Sequence, residues 1–124
     1  MVGIGREPAI AGPSRGDIHI VDLVEIGGNV MSGPHPAVVV QSNRLRRSTT
    51  VVVVPMTSSA RAAAWDLPFL VSVTARDSGL NRDGWAKCDQ PITVPIEKLG
   101  PKVGRLNPET IDRVDAGLRF VLAI

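Results

Sequence analysis

Tyrosine is missing from the 124 residues, and the aromatics present are Trp65, Trp85, Phe69 and Phe120. So small a set excludes a platform on which several bases of a single strand stack. A nucleic acid bound here would be held through backbone and polar contacts. Cys88 is the one cysteine, so neither an intrachain disulfide nor a cysteine-based zinc site can form. That usage points to the cytosol, with Cys88 as a small buried apolar side chain rather than a nucleophile. The opening MVGIGREPAIAGPS carries no long apolar run, which argues against a signal peptide or membrane span. Residues 1–14 are expected to be a flexible leader, followed by a single domain over residues 15–124. Net charge is only +2, but eleven arginines outnumber three lysines. Arginine is the better fork for phosphate, a weak tilt toward an anionic partner.

What the chain does have is a valine-rich centre, HPAVVVQSNRLRRSTTVVVVPMTSS over residues 35–59. Two β-branched runs, residues 37–41 and 49–55, are bounded by Pro, Asn and Ser and predict buried strands. The second ends in Thr57-Ser58-Ser59, which delivers small hydroxyls to the end of a sheet. A rigid strand with hydroxyls at its tip and a basic loop beside it suits contact with a phosphodiester backbone. The plainer reading is a core hairpin with a solvated turn. Arg44, Arg46 and Arg47 in that turn either hold phosphates or simply solvate it, with the second favoured.

Around this centre the pattern predicts a small, mostly antiparallel β domain with one terminal helix. A short strand is expected over residues 18–23, with His19 on its surface. Arg15-Gly16-Asp17 precedes it; as an adhesion tripeptide it is discounted beside a strand in a cysteine-poor chain. The Gly-rich residues 24–34 make a long connection, the kind that is often functional. A helical turn over residues 60–67 is stopped by Pro68. Strands follow over residues 69–75 and 85–90, with Asp83-Gly84 as a hairpin turn, and Pro91 ends the second. Residues 95–104 are expected to be a loop with a helical turn near Ile96. The last helix is the clearest element: Asn107 as N-cap, Pro108 at the first position, Glu109 in the first turn. Ile111, Val114, Leu118, Val121 and Leu122 form its apolar stripe.

The order of these pieces resembles the MazF/PemK toxins of bacterial toxin–antitoxin pairs. The matching segments are Arg15-Gly16-Asp17-Ile18 with Val21-Asp22-Leu23, then Gly33 and Pro36 before Ala37-Val38-Val39-Val40-Gln41-Ser42-Asn43. Val53-Val54-Pro55-Met56-Thr57-Ser58, Arg82-Asp83-Gly84, Asp89-Gln90 and the amphipathic end follow. The resemblance spans about residues 15–123. It implies an SH3-like barrel or twisted antiparallel sheet, a homodimer, and a cognate antitoxin as partner.

The activity implied is cleavage of single-stranded RNA at short sequences, with no metal and no cofactor. The RNA's own 2′-hydroxyl attacks the adjacent phosphate, leaving a 2′,3′-cyclic phosphate and a 5′-hydroxyl. Such chemistry needs a base, an acid and donors for charge growing on phosphate. The resemblance assigns the strand-end hydroxyl to Thr57, with Ser58 after it. Asp89 and Gln90 correspond to a polar pair that orients base or substrate, and Arg15, Asn43 and Glu25 are further substrate contacts. The family's catalytic arginine, directly before the proline of the second strand, is replaced by His35. The loop glutamate falls opposite Val30, with Glu25 as its stand-in, and Ile92 stands where many members have arginine. His35 is therefore either a proton-transfer group or a strand-entry residue of a weakened site. Two other readings remain open: a catalytically weakened subunit that still pairs with its antitoxin, and a gyrase-binding relative of the CcdB type. The CcdB type carries a tryptophan near its C-terminus, which this chain lacks.

Overall fold

Val51 to Val54 are all buried or nearly so, because both faces of their strand are covered. The computed structural model describes residues 12–59, 61 and 66–124. Among these, seven strands pair antiparallel: β1 (Asp17–Leu23), β2 (Gly33–Val39), β3 (Thr50–Thr57), β4 (Leu70–Val73), β5 (Gly84–Lys87), β6 (Ile92–Pro95) and β7 (Leu99–Arg105). The spatial order is β4-β5-β3-β2-β1-β7, with β6 on the free part of β3. The sheet is open rather than closed into a barrel. A one-turn helix α1 (Ala75–Ser78) lies between β4 and β5, and α2 (Pro108–Leu122) ends the chain.

Odd and even residues of the central strands feed two separate cores. Ile18, Val38, Val54, Met56 and Cys88 meet Val114 of α2 on one face. Val21, Leu23, Ala37, Val39, Val51, Val53 and Val94 fill the other. Along one edge β3 changes partner, from β6 through Val53 to β5 from Met56. Pro55 falls in the gap, where a residue without an N–H leaves no donor stranded.

The terminal helix forms as its sequence predicts. The Asn107 side chain accepts from the Thr110 N–H at 2.9 Å, and Pro108 begins the first turn. The Asp77 carboxylate adds a second cap, accepting from the Asn107 N–H at 3.1 Å and from the Thr110 hydroxyl. The buried stripe is narrower than expected: Thr110, Val114 and Gly117 are buried, whereas Leu122 is exposed. Gly117 lies over Cys88, where a Cβ would stand 2.8 Å from the Cys88 sulfur, so contact is set by a residue outside the apolar stripe.

Two sequence expectations change. Residues 99–105 are a strand rather than a loop, pairing with β1 through a register that shifts twice. Gly100 and Pro101 lower the strand signal there, and the neighbouring edge of β1 outweighs it. Asp83-Gly84 is not a tight hairpin turn, because ten residues including α1 join β4 to β5. Most of the helical turn expected over residues 60–67, and residues 1–11 of the expected leader, lie outside the described residues.

The Arg-Gly-Asp tripeptide is internal scaffolding. Arg15 pairs with Asp115 of α2 and donates to the Val40 carbonyl at 3.0 Å. Gly16 receives the Leu106 N–H on its carbonyl. Asp17 is buried and accepts from the Ser14 N–H, from Arg105 at 2.6 Å and from Lys102 at 3.3 Å. Burial alone would raise its pKa, but these donors outweigh it and hold the carboxyl below its ordinary 3.8. A depressed folded pKa contributes stability above the unfolded value and loses it as pH falls through the folded one. Asp17→Asn is expected to cost roughly 1.5–3 kcal/mol at neutral pH. The gap from wild type should narrow below pH 4 in urea titrations across pH. Gly117→Ala is expected to cost about 1–3 kcal/mol through overpacking against Cys88, read as a lower urea midpoint.

Candidate active site

The register of β2 on β3 pairs Ala37 with Pro55, Val38 with Val54 and Val39 with Val53. Continued by two residues, it sets His35 opposite Thr57, and directly opposed residues of an antiparallel pair share a face. Both side chains line one open cavity of about 680 Å³, with Ser58, Ser59, Asn81, Arg82 and Asp83 among its walls. The loop carrying Asn81–Asp83 reaches this position because Gly84 has no side chain: a Cβ there would stand 2.8 Å from the Thr57 carbonyl oxygen.

Local hydrogen bonds define what each group can do. His35 Nε2 lies 2.9 Å from the Ser32 carbonyl oxygen, which can only accept, so Nε2 carries the proton. In the neutral imidazole the lone pair then sits on Nδ1. Thr57 Oγ1 accepts from the Ser59 N–H at 3.1 Å, which leaves its own proton free to donate. Arg82 has no hydrogen-bond or ion-pair partner among the described residues and supplies a fixed positive charge.

Thr57 and Ser59 also line a second cavity, of about 470 Å³, on the other side of the strand end. Its polar walls are Asn29, Arg61, Lys87, Asp89 and Gln90, and Leu67, Phe69 and Leu70 supply an apolar side. The two hollows meet at Thr57, so an extended ligand crossing the end of β3 passes the hydroxyl midway. Among the described residues, no group of three or more His, Cys, Asp or Glu side chains is placed to hold a metal ion. No helix among them is long and apolar enough to cross a membrane.

A model of the PemK-like, MazF-like toxins of type II toxin–antitoxin systems matches residues 14–122. The chain belongs to this family. The PemK/MazF relatives include the endoribonuclease EndoA of Bacillus subtilis, 32% identical over 89% of this chain and 94% of that protein. The endoribonuclease MazF9 of Mycobacterium tuberculosis is 31% identical over 87% and 94%. A mycobacterial endoribonuclease solved in complex with its cognate antitoxin superposes with a TM-score of 0.74 at 25% identity, covering 91% of this chain and 97% of that one. MazF from Deinococcus radiodurans shares the fold, with a TM-score of 0.75 at 18% identity over 91% and 98% of the chains.

Within this PemK/MazF frame the expected site residues divide. His35, Thr57 and Ser58 come together on the first cavity; Asp89 and Gln90 line the second. Arg15, Asn43 and Glu25 line neither. Arg15 is committed to Asp115, and the Asn43 side chain accepts from the Arg15 N–H at 2.7 Å. Glu25 stands on the exposed β1–β2 loop. Asn81, Arg82 and Lys87 also line the two cavities, beyond the residues that the sequence pattern marks. The placement of Asn81 and Arg82 depends on the close passage of Gly84 past Thr57, which spacing does not encode.

His19 Nδ1 donates to the Gly100 carbonyl at 2.8 Å, tying β1 to β7. Cys88 is fully buried, and burial together with Asp89 and Asp115 pushes its thiol up to about 12. Alkylating reagents are expected to leave it unmodified in the native protein and to label it in denaturant, by mass spectrometry. Arg46 donates to the Gly12 carbonyl, and Arg44 and Arg47 are exposed away from both cavities. Replacing Arg44 and Arg47 by Ala is expected to leave the salt dependence of RNA binding unchanged. A slope shallower by about one per arginine would place them on phosphate.

Proposed function

We propose that this chain is the toxin of a type II toxin–antitoxin pair, an endoribonuclease that cleaves single-stranded RNA by its own 2′-hydroxyl, without a metal. The observation that carries the reading is the shared cavity of Thr57 and His35, one with a free hydroxyl proton and the other with a free ring nitrogen. His35 Nδ1 takes the proton of the 2′-hydroxyl. The 2′ oxygen attacks phosphorus and the 5′ oxygen leaves, taking a proton from solvent; His35 then releases its own. Products are a 2′,3′-cyclic phosphate and a 5′-hydroxyl. The Thr57 hydroxyl, Ser58 and Arg82 face the charge that builds on the phosphoryl oxygens. DNA, which lacks the nucleophile, is not cut.

Asp89 and the other groups of the second cavity, apart from Gln90, take the neighbouring nucleotide. The chain acts in the cytosol as a homodimer restrained by a cognate antitoxin, the kind of partner present on the mycobacterial relative. Phe120, Leu122 and Ile124 at the end of α2 remain exposed and are available for such contacts.

His35 in place of arginine favours one competing reading, a weakened subunit that binds its antitoxin and cuts nothing. An end-mapped digest of a defined RNA in EDTA separates the two. Wild type should leave cyclic phosphate ends. Thr57→Ala should lower kcat by about 10²-fold, as loss of one donor to a developing oxyanion does, and His35→Ala by roughly 10²–10⁴-fold. Activity should fall on the acid side, as it does when a general base becomes protonated. Uncut RNA with wild type, or a flat pH profile, would count against the nuclease or against His35 as its base, respectively.

A further inference from the structure

The β1–β2 loop that precedes His35 is mostly solvent-facing: residues 24–30 are exposed, Val24 and Ile26 by 75% and 70%. Its order is supplied from a distance. Gln90 Oε1 accepts from the Met31 N–H at 2.9 Å, and Gln90 Nε2 donates to the Asn29 carbonyl at 3.0 Å. Gln90 is itself held by its own N–H on the Lys87 carbonyl at 3.0 Å. Both ends of its amide are therefore committed to loop backbone, in the only orientation the two partners allow. One residue beyond Met31, the Ser32 carbonyl accepts from His35 Nε2.

We propose that Gln90 is a positioning residue: it clasps the β1–β2 loop so that the Ser32 carbonyl fixes the His35 ring with Nδ1 turned to the cavity. This rests on the nuclease reading above. It moves Gln90 from substrate contact to loop placement, and it links the two cavities. A nucleotide seated beside Asp89 contacts the wall whose neighbour orients the base on the other side of Thr57. The charged groups facing these residues are Arg82 and Asp83 in the His35 cavity, and Arg61, Lys87 and Asp89 around Gln90.

Steady-state cleavage of a defined single-stranded RNA between pH 5 and 8 tests the clasp. Gln90→Ala should lower kcat by about 10-fold or more with KM changed less than about threefold, the signature of a misplaced catalytic group. Gln90→Glu carries the sharper readout. Its carboxylate still accepts from Met31 but faces the Asn29 carbonyl with no proton; the protonated acid restores both hydrogen bonds. The ratio of Gln90→Glu to wild-type kcat should therefore rise as pH falls, while the Gln90→Ala ratio stays level. A Gln90→Glu ratio independent of pH, or unchanged kcat in Gln90→Ala, overturns the proposal. Because Gln90→Glu is compared with itself across pH, a folding defect in Gln90→Ala does not decide the matter. If wild type cuts no RNA, the nuclease reading fails and the clasp is judged by NMR. Loss of Met31 amide protection and of the His35 Nε2–H resonance in Gln90→Ala supports it, and persistence of both overturns it.

Discussion

The structure depends on how β3 shares its two edges. One edge meets β2 from Val53 to Pro55, and the other is divided between β6 and β5. A strand buried on both faces and paired on both edges has almost no freedom of register, because a one-residue slip would exchange the two cores. The last residue of this strand inherits that fixity. Thr57 stands where β3 runs out of interior, half-buried, with its backbone paired to Trp85 and its side chain open to both cavities. A hydroxyl that must meet a phosphate in one geometry gains most from such a support, since misplacement by a fraction of an ångström is costly in rate.

Arginine makes the same point from the side of charge. Eleven in the chain suggest phosphate, yet several of the guanidinium groups serve the fold. Arg15 forks onto Asp115, Arg105 meets Asp17, Arg46 reaches the Gly12 carbonyl, and Arg113 donates to the Ser72 carbonyl at 3.0 Å. A planar fork suits a carboxylate or a pair of carbonyl oxygens as well as a phosphate. Composition cannot tell these uses apart, and the Arg44–Arg47 turn, the densest basic cluster in the sequence, lies away from both hollows.

What could be read from the sequence was whatever had a local cause. Valine runs marked β2 and β3 through β-branching and flanking breakers, and the capping signal of Asn107 and Pro108 placed α2. The juxtaposition of His35 with Thr57 was reachable because two neighbouring strands joined by a short basic turn pair antiparallel. What escaped had non-local causes. β7 contains Gly100, Pro101 and Gly104 and is a strand because β1 has a free edge. Asn43 and Arg15, expected as substrate contacts, are joined across 28 residues by a hydrogen bond from the Arg15 N–H to the Asn43 side chain. Asp83-Gly84 carried a hairpin signal, and its glycine instead lets a loop pass close to Thr57.

A histidine rather than an arginine at position 35 changes what the surroundings must provide. A guanidinium is charged at every working pH and attracts a phosphate from a range of orientations. An imidazole acting as a base has one lone pair in the plane of its ring, and it is useful only if the other nitrogen holds the proton and the ring faces the substrate. That demand requires a fixed acceptor behind the ring. Here the acceptor is a backbone carbonyl on a loop with little packing of its own, so the demand passes one step further, to whatever orders the loop. A side chain able both to accept an N–H and to donate to a carbonyl satisfies it; glutamine does so without adding charge beside Lys87 and Asp89. On the proposed mechanism His35 depends on a residue about fifty-five positions away, and the two are expected to act as a pair whose effects are not additive.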